Sequence, residues 1–148
     1  MPRSRRSEPL PPREPVREDR TRYASGTAWE AKVGYSRAVR VGRHIYVSGT
    51  TATGPDGTIV GRGDAYAQTV QVLDNIERAL VALESRREDI VRVRVYVTDI
   101  GDFEAIARAL SERFQEVRPT STLVQVSTLV DPTLKVEIEA DADVPAPD

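Results

Sequence analysis

The sequence contains no cysteine and a single histidine, His44. Without thiols there is no disulfide framework, thiolate nucleophile or zinc knuckle. One imidazole excludes sites built from several histidines and leaves at most one such group for acid–base work. No apolar run approaches the ~20 residues that span a bilayer. The N-terminal stretch is rich in Arg and Pro where a secretory signal would be apolar, so a cytoplasmic protein with no membrane partner is expected. An excess of positive charge is missing as well. Lys and Arg number 21 against 23 Asp and Glu, a formal net charge of -2, whereas a nucleic-acid binder needs a basic surface to displace counterions from phosphate. Carboxylates, Tyr, Ser, Thr and Arg remain for chemistry, small molecules and protein chains remain as partners, and neither a cofactor nor a metal is implied.

What is present organises itself along the chain. From Met1 to about Arg20, prolines such as Pro9, Pro11, Pro12 and Pro15 alternate with charges such as Arg5, Arg6, Glu8 and Arg13. A segment with so little to bury does not offset its ordering entropy, so residues 1–20 are expected to form a disordered or extended arm. Residues 21–144 are expected to form one domain, and 145–148 a short tail. A chain of 148 residues buries roughly 68–70% of its unfolded surface, enough for a core without staples. Ala38–Val41 and His44–Ser48 are separated only by Gly42-Arg43, which is hairpin spacing, and Gly54-Pro55-Asp56-Gly57 is a turn.

Helical spacing follows. Asp64 is placed to cap a helix whose apolar residues Leu73, Ile76, Leu80 and Leu83 recur every three or four positions. Ile90 to Thr98 alternates, with Val91, Val93, Val95 and Val97 assigned to the buried face. Asp102 is placed to cap a second helix with Phe103, Ile106, Ala107, Leu110 and Phe114 on one stripe, ended before Pro119. Two strands complete the pattern: Thr122 to Val126, with Val124 and Val126 as its apolar set, and Lys135 to Asp143, with Val136, Ile138, Ala140 and Ala142 opposite Glu137, Glu139, Asp141 and Asp143. The order is hairpin, helix, strand, helix, strand, strand, an α+β fold with both helices on one face of a sheet. The opposite face, carrying Arg92, Arg94, Tyr96, Gln125, Glu137 and Glu139, either meets water or lines a seam between subunits.

Five segments resemble, in order and spacing, the signature of the Rid superfamily (reactive intermediate deaminases, YjgF-like). They are Gly34-Tyr35-Ser36-Arg37-Ala38, Val47-Ser48-Gly49-Thr50, Leu73-Asp74-Asn75-Ile76, Val95 through Phe103, and Val136-Glu137-Ile138-Glu139-Ala140. The resemblance implies a chorismate-mutase-like mixed sheet with two helices on one face. It also implies a homotrimer whose sheets form a central barrel, with a pocket at each subunit interface. In such pockets a Tyr, matched here by Tyr35, an Arg that grips a substrate carboxylate, and a Glu, matched here by Glu137, support the hydrolysis of a reactive imine or enamine such as 2-aminoacrylate. The gripping Arg falls on Ser121 within Pro119-Thr120-Ser121. Two charge-assisted bonds are thereby replaced by one neutral bond at best, each of the former worth roughly 1.5–3 kcal/mol.

The candidate catalytic residues are therefore Glu137 and Tyr35, and the candidate ligand-binding residues are Ser48, Gly49, Thr50, Ser121 and Arg37. Each has a structural alternative. Tyr35 is a pocket donor or an edge aromatic with its hydroxyl in water. Arg37 stands in for the missing guanidinium or pairs on the surface with an acid such as Glu30. Ser48-Gly49-Thr50 presents polar groups to a ligand or ends a strand. Of Glu137 and Glu139, at least one is expected to pair across strands with Arg92 or Arg94; Glu137 is assigned to the pocket and Glu139 to the structural role. Two functions fit the residues: an imine or enamine hydrolase whose substrate lacks the usual carboxylate, and a non-catalytic trimer that binds a small metabolite. A ribonuclease-like activity fits the acidic balance least.

Overall fold

The computed structural model describes residues 19–147; of the arm expected over residues 1–20, residues 1–18 lie outside them. The elements are β1 (Arg20–Tyr23), α1 (Ala28–Val33), β2 (Ala38–Val41), β3 (His44–Thr50), α2 (Ala65–Ala82), β4 (Ile90–Val97), α3 (Phe103–Phe114), β5 (Thr120–Gln125) and β6 (Val136–Asp143). They build one mixed sheet in the order β1-β2-β3-β6-β4-β5. All pairings are antiparallel except β4 with β5. That pair is parallel because α3 carries the chain back between them, the crossover that parallel strands require. The last strand in sequence is thus inserted at the sheet's centre, between β3 and β4.

The core lies between the sheet and α2 and α3. The residues Ile45, Leu73, Ile76, Leu80, Ile106 and Ile138 are fully buried, each such side chain contributing about 1.5–3 kcal/mol on burial. In β6 the alternation is strict: Val136, Ile138, Ala140 and Ala142 are buried under the helices, and Glu137, Glu139, Asp141 and Asp143 occupy the open face. The helix α2 starts where the sequence places it, with Asp64 Oδ1 accepting from Ala67 N at 2.9 Å.

Four sequence expectations change. Val91 is half exposed because the pairing of β4 with β6 slips between Ile90 and Arg92; the irregularity puts Ile90 on the buried side in its place. In β5 the inward residues are Ser121 and Leu123, paired with Val93 and Val95, and Val124 faces outward, 43% exposed. Asp102 makes no side-chain cap; its carboxylate pairs with Lys135 Nζ at 3.2 Å, and a 3₁₀ turn over Ile100–Asp102 leads into α3, Asp99 accepting from Gly101 N. Finally, β1 and α1 extend the ordered domain beyond the elements read from periodicity, and Arg20, placed in the arm, begins an edge strand.

Candidate functional site

The open face of the sheet carries charge that is mostly paired within itself. Arg94 Nη1 lies 3.5 Å from Glu139 Oε2 and 3.4 Å from Asp141 Oδ2, and the Tyr96 hydroxyl donates to Glu139 Oε1 at 2.7 Å. Glu139 therefore has the structural cross-strand role assigned to it, and its hydrogen bond raises the pKa of Tyr96. Glu137 is different. It sits opposite Tyr96 in the β4–β6 register, yet among the described residues it makes neither a hydrogen bond nor an ion pair. Burial pushes its carboxyl above the usual range, the positive charge of Arg37 works against that push, and the charge of Glu139 adds to it.

Glu137 opens into a hollow of about 410 Å³ lined also by Gly49, Tyr96, Val126, Leu129 and Glu139. Gly49 permits that placement. A Cβ there would stand 2.6 Å from Glu137 Oε1, so only a residue without a side chain lets the carboxylate lie against the strand. The pairing of β3 with β6 is irregular at this point, between Val47 and Thr50, which frees the Gly49 carbonyl from the sheet ladder.

Arg37 takes up that carbonyl. Its Nη1 donates to Gly49 O at 2.6 Å and to Thr50 Oγ1 at 3.3 Å, and its Nη2 donates to the Tyr35 hydroxyl at 3.0 Å. The expected partner Glu30 is present, with Oε2 3.9 Å from Arg37 Nε, but the pair is buried rather than on the surface. Glu30 in turn accepts from Ser25 N, Ser25 Oγ and Thr27 Oγ1. Burial alone would raise the Glu30 pKa; these hydrogen bonds and the charge of Arg37 outweigh it and hold the group below the usual range. A buried guanidinium is thus supported by an ionised carboxylate, the arrangement such a charge needs.

The structure brings Tyr35, Arg37, Gly49, Thr50 and Glu137 together through this network. Tyr35 and Arg37 join the hollow by way of Gly49 rather than lining it. Ser48 spends its hydroxyl on Ser36 O at 2.7 Å. Ser121 is not in the cluster: it faces the helix side of the sheet, in a second hollow of about 330 Å³ between β5 and α3 with Phe103, Leu110 and Phe114. Two supporting residues escape a reading based on periodicity. Gln68, fully buried, donates to Gly61 O and Thr133 O and accepts from Lys135 N, fixing the start of β6 just before Glu137. Asn75 donates to Thr51 O and Thr53 O, fixing the chain that leaves β3. Their signal in the sequence is a polar amide on or beside the apolar stripe of a helix, to which Asn75 adds its place in the family-like segment Leu73-Asp74-Asn75-Ile76.

Comparison with known proteins agrees with this architecture. The family model described as Endoribonuclease L-PSP matches residues 25–144, and the chain belongs to that family, the YjgF or Rid family. A solved structure of Rv2704 from Mycobacterium tuberculosis, a YjgF/YER057c/UK114 family member, superposes with a TM-score of 0.77 at 42% identity, covering 84% of this chain and 99% of that one. An uncharacterized protein of Streptomyces coelicolor is 36% identical over 82% of this chain and 90% of its own length. The 3-aminoacrylate deaminase RutC of Acinetobacter baylyi is 34% identical over 74% of this chain and 86% of its own. No helix among the described residues is long and apolar enough to cross a membrane.

Proposed function

We propose that the protein hydrolyses a small imine or enamine that lacks a carboxylate anchor, at a pocket completed between the subunits of a homotrimer. The observation that carries the reading is Glu137, a half-buried carboxylate with no hydrogen-bond or ion-pair partner among the described residues, aimed into a hollow on the open sheet face. Perturbed, unpaired acids in clefts are where proton-transfer chemistry is found. In the reaction, Glu137 takes a proton from water as the oxygen adds to the C=N carbon. The proton is passed to nitrogen, and the resulting carbinolamine expels ammonia and leaves a carbonyl. Tyr35 supplies a donor to the substrate. An enamine enters the same path after protonation at carbon.

The deaminase named among the relatives supports this chemistry, and Ser121 argues for a different substrate. Ser121 and Glu137 occupy opposite faces of one sheet, so a site that used both would draw them from different copies. The mixture of exposed Tyr46 and Val124 with paired charges on the open face fits a surface that packs against a second copy better than one left in water. Phosphate ligands fit poorly beside Glu137, Glu139 and Asp141. The test is a screen of neutral imines and enamines alongside 2-imino acids, using protein shown by sedimentation to be trimeric. Glu137→Gln keeps the side chain's size and removes the base, so turnover of the best substrate should fall by about 10²–10⁴-fold with assembly intact. A stable monomer overturns the interface pocket. An absence of any turnover overturns the hydrolase and leaves a trimer that binds a small metabolite.

A further inference from the structure

We infer that Arg37 is a positioning residue for this site, resting on the hydrolase reading above: it orients the Tyr35 hydroxyl as a donor and holds the strand segment on which the Glu137 carboxylate lies. Arg37 is only 8% exposed, and three of its five N–H donors are bound within the chain, to Gly49 O, Thr50 Oγ1 and the Tyr35 hydroxyl. A guanidinium has no acceptor. In the Arg37–Tyr35 bond the phenol oxygen therefore accepts, and the phenol proton is left for another partner. Tyr35 is half-buried, with its hydroxyl two hydrogen bonds from Gly49 through a single rigid group. A lysine in this place would offer charge without the planar fork that serves three acceptors at once.

The other end of the network fixes the fork. Glu30, held by Ser25 and Thr27, keeps an ionised carboxylate beside Nε, so Arg37 is anchored from α1 while it reaches β3. Gly49 then links Arg37 to Glu137: its carbonyl is bound by Nη1, and its lack of a Cβ gives Glu137 Oε1 its place. The groups from every element packed around Arg37 are Tyr35 and Glu30 on one side, Gly49 and Thr50 on β3, and Glu137 on β6. Among the described residues, Arg37 is the positive charge set against Glu137. Its burial also separates it from a carboxylate-binding role: the guanidinium is enclosed between Glu30, Tyr35 and Gly49 rather than presented to the hollow.

The experiment compares wild type, Arg37→Gln, Arg37→Lys, Tyr35→Phe and the double variant Arg37→Gln/Tyr35→Phe in the intact trimer. With the best neutral substrate, Arg37→Gln should lower kcat by about 10–100-fold with little change in KM, a loss expected when a reacting group is misplaced. It should also move the acid limb of the kcat/KM profile to higher pH, because a nearby opposite charge is gone. Arg37→Lys should restore the limb but not the rate. The double variant should lose less than the product of the single losses. A purely structural Arg37 would lower activity and assembly together and leave the limb in place, which overturns the inference. A readout independent of turnover comes from carbon NMR of labelled glutamate carboxyls, with Glu137 identified by its absence in Glu137→Gln. If wild type turns over nothing, the hydrolase reading fails. The Arg37 inference then stands or falls on whether the Glu137 resonance titrates at higher pH in Arg37→Gln than in wild type and Arg37→Lys. An unchanged titration overturns it.

Discussion

Replacing Gly49 by alanine perturbs the site by one methyl group whose position is known. Gly49 does not have a positive φ, so alanine fits the backbone, and the change is confined to what the new Cβ meets. That atom would lie 2.6 Å from Glu137 Oε1 and 3.0 Å from Glu137 Cδ, whereas ordinary contacts begin at 3.4 Å. The carboxylate must retreat by about 0.8 Å, the difference between 3.4 and 2.6 Å. The backbone of Gly49 cannot give way instead, since Arg37 Nη1 holds its carbonyl at 2.6 Å. A displacement of about 1 Å in a reacting group costs on the order of 10²-fold in rate, or about 2.7 kcal/mol of transition-state stabilisation. Because Glu137 can move aside, folding should survive almost unchanged. The assay is kcat and KM on the best neutral imine, with thermal unfolding as the control. A Gly49→Ala protein of unaltered stability and unaltered kcat would refute the placement of Glu137 as the base.

The remaining expectations concern stability. Gln68→Leu removes three part-buried hydrogen bonds, leaving Lys135 N and Thr133 O without this partner while Gly61 O keeps Asp64 N, and should cost about 3 kcal/mol in urea unfolding; a loss below about 1 kcal/mol would show that the amide does not anchor β6. Glu137→Gln should raise the melting temperature at neutral pH, because the raised Glu137 pKa means that its ionised form is disfavoured by folding. The sign follows from linkage: a carboxyl with a folded pKa above its unfolded one is penalised above both values, and the penalty vanishes as pH falls below the unfolded value. The two proteins should therefore converge in stability under acid conditions, and a constant difference from pH 7 to pH 3 would refute desolvation as the cause.

Much of the fold was legible because β6, α2 and the β2–β3 hairpin obey single periods with clear punctuation. The failures are local and have a common cause. The irregularity at Ile90–Arg92 reverses which residue points inward, and no feature of an all-valine alternation announces it. In β5 the residues Ser121, Leu123 and Val124 carry too weak a pattern to choose a face, and the parallel pairing to β4 decides it. The early elements β1 and α1 are short, and the apolar residues Trp29 and Val33 of α1 are exposed rather than set on a buried stripe. Strand β1 is placed by its ladder with β2 and α1 is tied down by a buried ion pair between Glu30 and Arg37, contacts that periodicity does not encode. The site shows the same division. Tyr35, Gly49 and Glu137 were reached through segments that resemble a family. The committed state of Arg37 and the supporting amides Gln68 and Asn75 depend on distances that exist only after folding.

The distribution of charge on the open face completes the physical case. Arg94 stands between Glu139 and Asp141, and Tyr96 closes on Glu139, so these groups gain partners for the solvent they lose. Such half-exposed pairs contribute little to stability, roughly 0–1 kcal/mol, but they leave no charge uncompensated. Glu137, one step along the same face of the same strand, has no equivalent partner among the described residues. A glutamine there would remove the ionisation penalty, and a longer side chain at Gly49 would fill the space that the carboxylate occupies. The sequence instead places a glycine under the acid and a buried arginine beyond that glycine. The acid is kept ionisable without being neutralised by direct contact. That is the condition a water-activating base requires, since a carboxylate locked in a salt bridge is a poorer proton acceptor. A structural account of β6 would favour pairing Glu137 as Glu139 is paired, and the departure from that pattern falls where the open face forms its hollow.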